Sequence, residues 1–165
     1  MGESLGKRVR LNVGCGDKTW PGFINCDLHA NADVNADCRS LPFESDYADE
    51  IHSIHFVEHV PRLSLENMLI DWHRILKRGG KLVIEVPCLN KIAQNVVNGE
   101  TNLRLTVLGI FGDPNDTKPG MMHLWCYTKE ELTECLLQCG FTQVVVKDPV
   151  FHVLERDMRL EAVKP

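Results

Sequence analysis

Most of the residues that are suited to ligand binding or catalysis lie in four short segments within the first sixty positions of this sequence. A glycine turn, Gly14-Cys15-Gly16, follows one apolar run, and Asp27 ends the next. Glycines at the end of a strand let the backbone turn sharply and approach a ligand closely. A carboxylate such as that of Asp27 can accept hydrogen bonds from both hydroxyls of a ribose. The pattern predicts a nucleoside-binding site.

The other two segments suggest contacts with a nucleobase and with a second substrate. Asp37 follows a third run and can accept from an exocyclic amino group, while the apolar residues beyond it can sandwich an adenine. The segment 55–59 follows a fourth run and contains two histidines. His59 and His123 are the candidates for a general base, because the pKa of histidine lies near the working pH.

The elements that must position these residues follow from apolar runs and from helical periodicity. The predicted strands are Val9–Val13, Phe23–Leu28, Val34–Asp37, Ile51–Val57, Lys81–Val86, Val144–Val146 and Met158–Val163. The predicted helices are 65–76, 90–97, 102–110 and a helix that is capped at Thr128 and ends at Gly140. This alternation predicts a mostly parallel sheet with helices on both faces and a ligand site at the carboxyl ends of its strands.

The same residues resemble the class I S-adenosylmethionine (SAM)-dependent methyltransferase family, in particular its short type 11-like members. The run Asn12-Val-Gly-Cys-Gly16 resembles the family's glycine loop, and Asp27 resembles the acid that holds the ribose. The segments 37–43, 56–60, 76–80 and 123–128 are also similar to family motifs. The resemblance covers nearly the whole chain and implies one domain over residues 1–165. Its implied fold is a Rossmann-like, doubly wound, mostly parallel seven-stranded sheet with an antiparallel C-terminal hairpin.

The resemblance also implies SAM as the cofactor and assigns the residues that bind it. These are Asn12, Gly14, Cys15, Gly16, Asp27, Leu28, Asp37, Cys38, Leu41, His55 and Phe56. The implied reaction is an in-line methyl transfer to a small molecule such as a sugar, with His59 or His123 as the base. Met121, Met122 and Trp125 either line the acceptor pocket or pack a lid formed by residues 111–120 against the core.

Two departures from the family pattern concern the first crossover. Asn12 stands where many members carry an acid, and Asp27 lies only eleven positions after Gly16, where about 20 are usual. The intervening segment 18–22 contains Pro21 and is too short for a helix. The first crossover helix is therefore predicted to be truncated. We expect a second copy of the chain to cover the apolar sheet surface that this exposes, which predicts a homodimer.

Composition limits the partners and the compartment. The chain has 165 residues, a net charge of −5 and no long basic cluster, so we expect no nucleic-acid partner. No apolar run is long enough to span a membrane, and the N-terminus has no apolar signal region. Seven cysteines without an export signal indicate a cytoplasmic protein. Cys135 and Cys139 share a helix face, but no histidine lies near them in sequence, so we expect no metal site.

Two other functions compete with methyl transfer. A non-catalytic SAM-binding module fits the small size of the chain and predicts binding without turnover. A nicotinamide oxidoreductase would share the glycine turn and Asp27, but its motif requires a third glycine where this sequence has Thr19.

Overall fold

A seven-stranded β-sheet forms the centre of the protein in the computed structural model, which describes residues 8–28, 31–118 and 120–165. The strands are β1 (Arg10–Val13), β2 (Ile24–Asp27), β3 (Val34–Asn35), β4 (Ala48–Ile54), β5 (Leu76–Pro87), β6 (Thr142–Lys147) and β7 (Asp157–Val163). Their order in the sheet is β3-β2-β1-β4-β5-β7-β6. Strand β7 runs antiparallel to both of its neighbours, and the other described pairs are parallel. This topology confirms the predicted Rossmann-like sheet with an antiparallel C-terminal hairpin.

Four α-helices connect the strands: α1 (Leu65–Ile75), α2 (Leu89–Val97), α3 (Val107–Phe111) and α4 (Lys129–Gln138). The predicted cap of α4 is confirmed, because the Thr128 side chain accepts a hydrogen bond from the Glu131 N–H. The predicted helix over 102–110 is instead divided at Thr106 into a 3-10 turn and α3, because the backbone of Thr106 is not helical. No helix in the described part of the chain is long and apolar enough to cross a membrane.

The hydrophobic core lies between one face of the sheet and the helices α1 and α4. Helix α1 buries residues at the i, i+3, i+4 and i+7 spacing that the sequence shows. Its Trp72 is fully buried, and the indole N–H donates to the carbonyl oxygen of Cys38 at 2.8 Å. This bond joins the central helix to the loop that follows β3. The core thereby fixes the position of residues 37 and 38.

The opposite face of the sheet is polar. Successive residues of a strand point to opposite faces, so the strand register places the following side chains on this face: Asn12, Asn25, His52, Glu85, Arg159 and Glu161. Glu85 is fully buried and pairs with Arg159 at 2.9 Å. The apolar-rich sequence of β5 gave no sign of this charge network. The core helices α1 and α4 therefore both lie on the other face.

The first crossover contains no helix, as predicted. The side chain of Asn25 takes the place of helix packing, because its Oδ1 accepts from the Trp20 N–H at 2.8 Å and from Asn12 Nδ2 at 2.9 Å. The Trp20 ring then packs against Phe23 and stacks on Phe151. Polar side chains and these rings thus occupy the surface that was expected to be bare and apolar. The homodimer gains no support from this face and stays a prediction.

Replacing the Asn25 side chain should loosen this short crossover. We expect Asn25→Ala to lower the free energy of unfolding by about 2 kcal/mol, because two donors lose a buried acceptor. Urea unfolding of the variant measures this loss. The matched control is Asn98→Ala, an exposed amide at the end of α2, which should stay within about 0.5 kcal/mol of the wild type. Equal effects at both positions would contradict this role of Asn25.

Candidate functional site

A cavity of about 810 Å³ opens at the carboxyl ends of β1, β2 and β4. This volume is within the usual range for small-molecule sites. Twelve of the thirteen residues that the sequence assigned to cofactor binding or catalysis line the cavity, namely Asn12, Gly14, Cys15, Gly16, Asp27, Leu28, Asp37, Cys38, His55, Phe56, His59 and His123. The exception is Leu41, which is buried in the hydrophobic core. The apolar wall expected from Leu41 is therefore absent from its predicted place.

The two glycines of the loop after β1 have different roles. Both have positive φ angles, +69° for Gly14 and +51° for Gly16. A Cβ added to Gly14 would lie 2.1 Å from the ring of Phe56, so a side chain is excluded here by packing within the protein. A Cβ added to Gly16 would meet no atom within 4 Å, so this residue leaves open space on the cavity wall. Only Gly16 therefore keeps the backbone accessible to a ligand.

Asp27 stands at the end of β2, beside this loop. One oxygen of its carboxylate accepts from the Gly16 N–H at 3.0 Å, which fixes the loop and the carboxylate relative to each other. The neighbouring thiol of Cys15 is buried, and burial together with the charge of Asp27 raises the pKa of this thiol to about 11. Cys15 thus remains protonated and does not act as a nucleophile. The loop and Asp27 form one preorganised polar wall.

Asn12 lies beneath the loop. Its side chain is buried, and its amide nitrogen donates to the Lys18 carbonyl at 3.0 Å as well as to Asn25. These contacts show Asn12 holding the short crossover in place. A neutral amide is suited to this role because it can donate to the backbone carbonyl, which an ionised carboxylate in its place could not.

Asp37 carries a partner that the sequence analysis did not anticipate. The carboxylate of Asp37 accepts three hydrogen bonds from the Arg39 guanidinium at 2.6–3.0 Å. Hydrogen bonding to Arg39 lowers the pKa of Asp37 below its ordinary value, so Asp37 is ionised at neutral pH. An adenine amino group must share this carboxylate with Arg39.

His59 and His123 lie 64 positions apart in sequence and face each other at the other end of the cavity. Their ring centroids are 4.9 Å apart. Nδ1 of His59 lies 3.1 Å from the Met122 carbonyl oxygen, and Nδ1 of His123 lies 3.0 Å from that of Gly109. Because a carbonyl oxygen only accepts, each Nδ1 must carry a proton, so in the neutral form of either ring Nε2 has the lone pair. Burial lowers the pKa of His123, which favours its neutral form.

A third histidine, His55, is held between two carboxylates. Its Nδ1 lies 2.9 Å from Glu58 Oε1, and its Nε2 lies 3.2 Å from Asp157 Oδ2. Burial alone would lower the pKa of His55, but the negative charges of Glu58 and Asp157 outweigh it and raise the pKa to about 9. His55 is therefore a cation at neutral pH. Its φ of +53° is uncommon for a non-glycine residue and marks a constrained position.

Comparison with known proteins finds a family match over part of the chain. The methyltransferase domain family matches residues 19–84, although no curated protein is similar enough to count as a relative. A SAM-dependent methyltransferase from Archaeoglobus fulgidus has a similar structure, with a TM-score of 0.67 and 18% identity over 96% of this chain and 87% of that one. This chain is therefore similar to the methyltransferase domain family over residues 19–84, and its fold is that of known SAM-dependent methyltransferases.

Two further SAM-dependent methyltransferases have the same fold. One, from Methanosarcina mazei, has a TM-score of 0.67 and 16% identity over 97% of this chain and 94% of that chain. The other, from Thermotoga maritima, has a TM-score of 0.65 and 13% identity over 98% of this chain and 84% of that chain. The match to this family implies SAM as the cofactor.

The residues of the cavity fit SAM. Gly16 leaves its part of the wall open, where a Cβ would point into free space, and the carboxylate of Asp27 stands beside it. Asp37 supplies an acceptor further along the same wall, and Leu28 is half exposed next to Asp27. The nucleoside half of the cofactor thus has polar partners at the glycine loop. His59 and His123 line the same cavity.

The segment that the sequence predicted as a lid also reaches this cavity. Lys118 pairs with Asp17 beside the glycine loop at 2.9 Å, and Met121 lines the cavity. Met122 and Trp125 are not among the lining residues; the Trp125 indole N–H donates to Glu131 instead. A lid role for residues 111–118 and 120 stays a prediction.

The sequence analysis missed the acidic side chains under the histidines. Glu58 and Asp157 are both fully buried, and Asp157 comes from β7, 102 residues after His55. Asp157 is also bound by Arg156 at 2.6 Å, and the two partners hold the pKa of Asp157 far below its ordinary value despite burial. The one indication in the sequence was that Glu58 directly precedes His59.

Proposed function

We propose that this domain transfers the methyl group of SAM to a small-molecule acceptor held beside His59 and His123. The observation that carries the proposal is that His59 and His123, with ring centroids 4.9 Å apart, line the same cavity as the glycine loop. When bound, SAM supplies an electrophilic methyl group on its sulfonium. The chain's own task is to hold the two reactants in line, which accounts for much of the catalysis in such a displacement.

One group of cavity residues binds the cofactor, and another accepts the proton of the methyl acceptor. Asp27 binds the ribose hydroxyls, and the backbone of the glycine loop contacts the cofactor where Gly16 leaves room. His59 and His123 present Nε2 lone pairs that can accept the proton of a hydroxyl acceptor. The backbone carbonyls of Met122 and Gly109 fix both tautomers for this role.

The size and charge of the cavity favour a small acceptor. Its volume of about 810 Å³ leaves space beside a nucleoside, and its lining includes Asp113 and Asp116. The net charge of −5 opposes binding of a polyanion. A sugar or related metabolite in the cytoplasm fits these properties.

The competing proposal is a SAM-binding module without turnover. Calorimetry with SAM and S-adenosylhomocysteine, followed by a screen of hydroxyl and amine acceptors, separates the two. Methyl transfer to any acceptor that is lost in a His59→Ala/His123→Ala double variant supports catalysis. Binding of both nucleosides with no transfer to any acceptor in the screen supports the module instead.

Removal of the Asp27 carboxylate should weaken SAM binding strongly. We expect Asp27→Ala to raise the Kd for SAM by about 100-fold or more, because two charge-assisted hydrogen bonds to the ribose are lost. Isothermal calorimetry measures the change. Asp148→Ala is the control, because Asp148 is exposed and does not line this cavity. An unchanged Kd in Asp27→Ala would show that the ribose binds elsewhere.

A further inference from the structure

We propose that Glu58, His59 and His123 form a binding site for a divalent transition-metal ion. One ring nitrogen of each histidine and one carboxylate oxygen of Glu58 all lie within 4.8 Å of one another. Two imidazoles and one carboxylate are the ligand set of catalytic zinc and of related ions that keep an open coordination position.

The state of Glu58 is the observation that points to a ligand. Its side chain is 99% buried, since only 1% of it is exposed, and neither carboxylate oxygen makes a well-directed hydrogen bond within the described part of the chain. Its one close partner is Nδ1 of His55, which lies at ion-pair distance but outside hydrogen-bond alignment. Buried carboxylates are costly unless they are paired, hydrogen-bonded or bound to a metal. Oε1 of Glu58 is paired with the His55 imidazolium, so the unused capacity is that of Oε2, and a carboxylate oxygen of Glu58 lies within 4.8 Å of the two histidines.

The two histidines are oriented as metal ligands usually are. In metal sites, a ligating histidine commonly donates its other ring N–H to a backbone carbonyl, which fixes the tautomer and the ring. His59 does this with Met122, and His123 does it with Gly109. The Nε2 lone pair of each ring is thereby left for an ion. Both rings line the cavity, so the open coordination position faces the place of the acceptor.

A neighbouring cluster is the less suitable candidate. His55, His152 and Asp157 also lie within 4.8 Å of one another. However, both oxygens of Asp157 already accept from the Arg156 guanidinium, at 2.6 and 2.9 Å. Asp157 therefore has both oxygens engaged by hydrogen bonds, whereas the Glu58 oxygens accept none from the described residues. His152 therefore provides the matched control for the proposed site.

The ion would give the domain a specific class of acceptor, and this step rests on the proposed methyl transfer. A hydroxyl oxygen bound to the open position has a lowered pKa, so its proton passes to solvent water. The oxygen lone pair then forms the new bond to the methyl carbon as the carbon–sulfur bond breaks, and the bonding pair stays on sulfur. With an ion bound, His59 and His123 act as ligands, and the acceptor is an oxygen nucleophile.

The test is a titration of the purified full chain with Co²⁺ in the absence of SAM, followed by visible absorption and calorimetry. We expect one equivalent to bind, with d–d bands of nitrogen and oxygen ligands and no thiolate charge-transfer band. His123→Ala and His59→Ala should each weaken binding by at least about 100-fold, because each removes a ligand. His152→Ala should leave the affinity unchanged. Unfolding curves confirm that each variant is folded.

Three results would overturn the metal site. These are no binding of Co²⁺, thiolate bands that assign the ion to cysteines, or an equal loss of affinity in His152→Ala. Because the titration contains no SAM, its failure leaves the proposed methyl transfer standing. Conversely, failure of SAM binding in calorimetry leaves the metal site intact.

Discussion

Gly14→Ala is expected to lower the free energy of unfolding by about 3–5 kcal/mol. A Cβ at this position would lie 2.1 Å from Cγ and 2.4 Å from Cβ of Phe56. Rotation of the aromatic ring cannot relieve the second contact, because the Phe56 Cβ is fixed to the backbone. The φ of +69° adds the usual cost of a left-handed conformation for an alanine. The loop or Phe56 must therefore move, and the cavity wall moves with it.

Two other glycines separate this packing effect from the effect of φ. Gly16→Ala and Gly79→Ala both place alanine at positive φ, but their added Cβ atoms meet nothing within 4 Å. Each should cost about 1–2 kcal/mol in urea unfolding. Gly16→Ala should also weaken SAM binding, because its methyl group projects from the cavity wall, whereas Gly79→Ala should not. A loss at Gly14 no larger than at Gly79 would contradict the close contact with Phe56.

Glu85→Ala should destabilise the protein by a similar amount, about 3–5 kcal/mol. The carboxylate of Glu85 is fully buried and accepts from Arg159 at 2.9 Å and from the N–H groups of Val150 and Phe151 at 2.8 and 3.1 Å. Alanine leaves a buried guanidinium short of one partner and two backbone donors unsatisfied. It also releases Phe151, which stacks on Trp20 over the short crossover.

Two variants test whether the charge is the cause. Glu85→Gln keeps an acceptor of the same shape and should lose less stability than Glu85→Ala. The double variant Glu85→Leu/Arg159→Leu removes both charges and should recover part of the loss, because apolar pairs often replace buried ion pairs without penalty. Chemical denaturation measures all three. A double variant that loses more stability than Glu85→Ala would rule out a buried pair as the main cause.

The nucleoside half of the site could be predicted from the sequence because its signals are local. The glycine turn, Asp27 and Asp37 each follow a short strand directly, and the parallel topology brings those strand ends together. The eleven-residue interval between Gly16 and Asp27 likewise fixed the absence of a first crossover helix, which the structure confirms. Leu41 lies in the core because an apolar residue after a strand fits the core as well as a binding site, and its contact with the cofactor stays a prediction.

The acceptor half could not be predicted because it depends on contacts between distant segments. Glu58 and His123 meet only after the segment before α4 folds back over β4, and its backbone N–H groups at Leu124 and Trp125 donate to the Glu58 carbonyl. Asp157 reaches His55 through the antiparallel pairing of β7 with β5. The polar face of the sheet could not be predicted from the sequence for a similar reason, since Glu85 stands within an apolar run and its partner Arg159 lies 74 positions away.

The most direct test of this account is a crystal structure of the domain with S-adenosylhomocysteine. We predict the ribose hydroxyls within hydrogen-bond distance of the Asp27 carboxylate and the base beside Asp37. The sulfur should point towards His59 and His123. A nucleoside bound in the smaller cleft by Lys91 and Lys147, or one without contact to Asp27, would contradict the account.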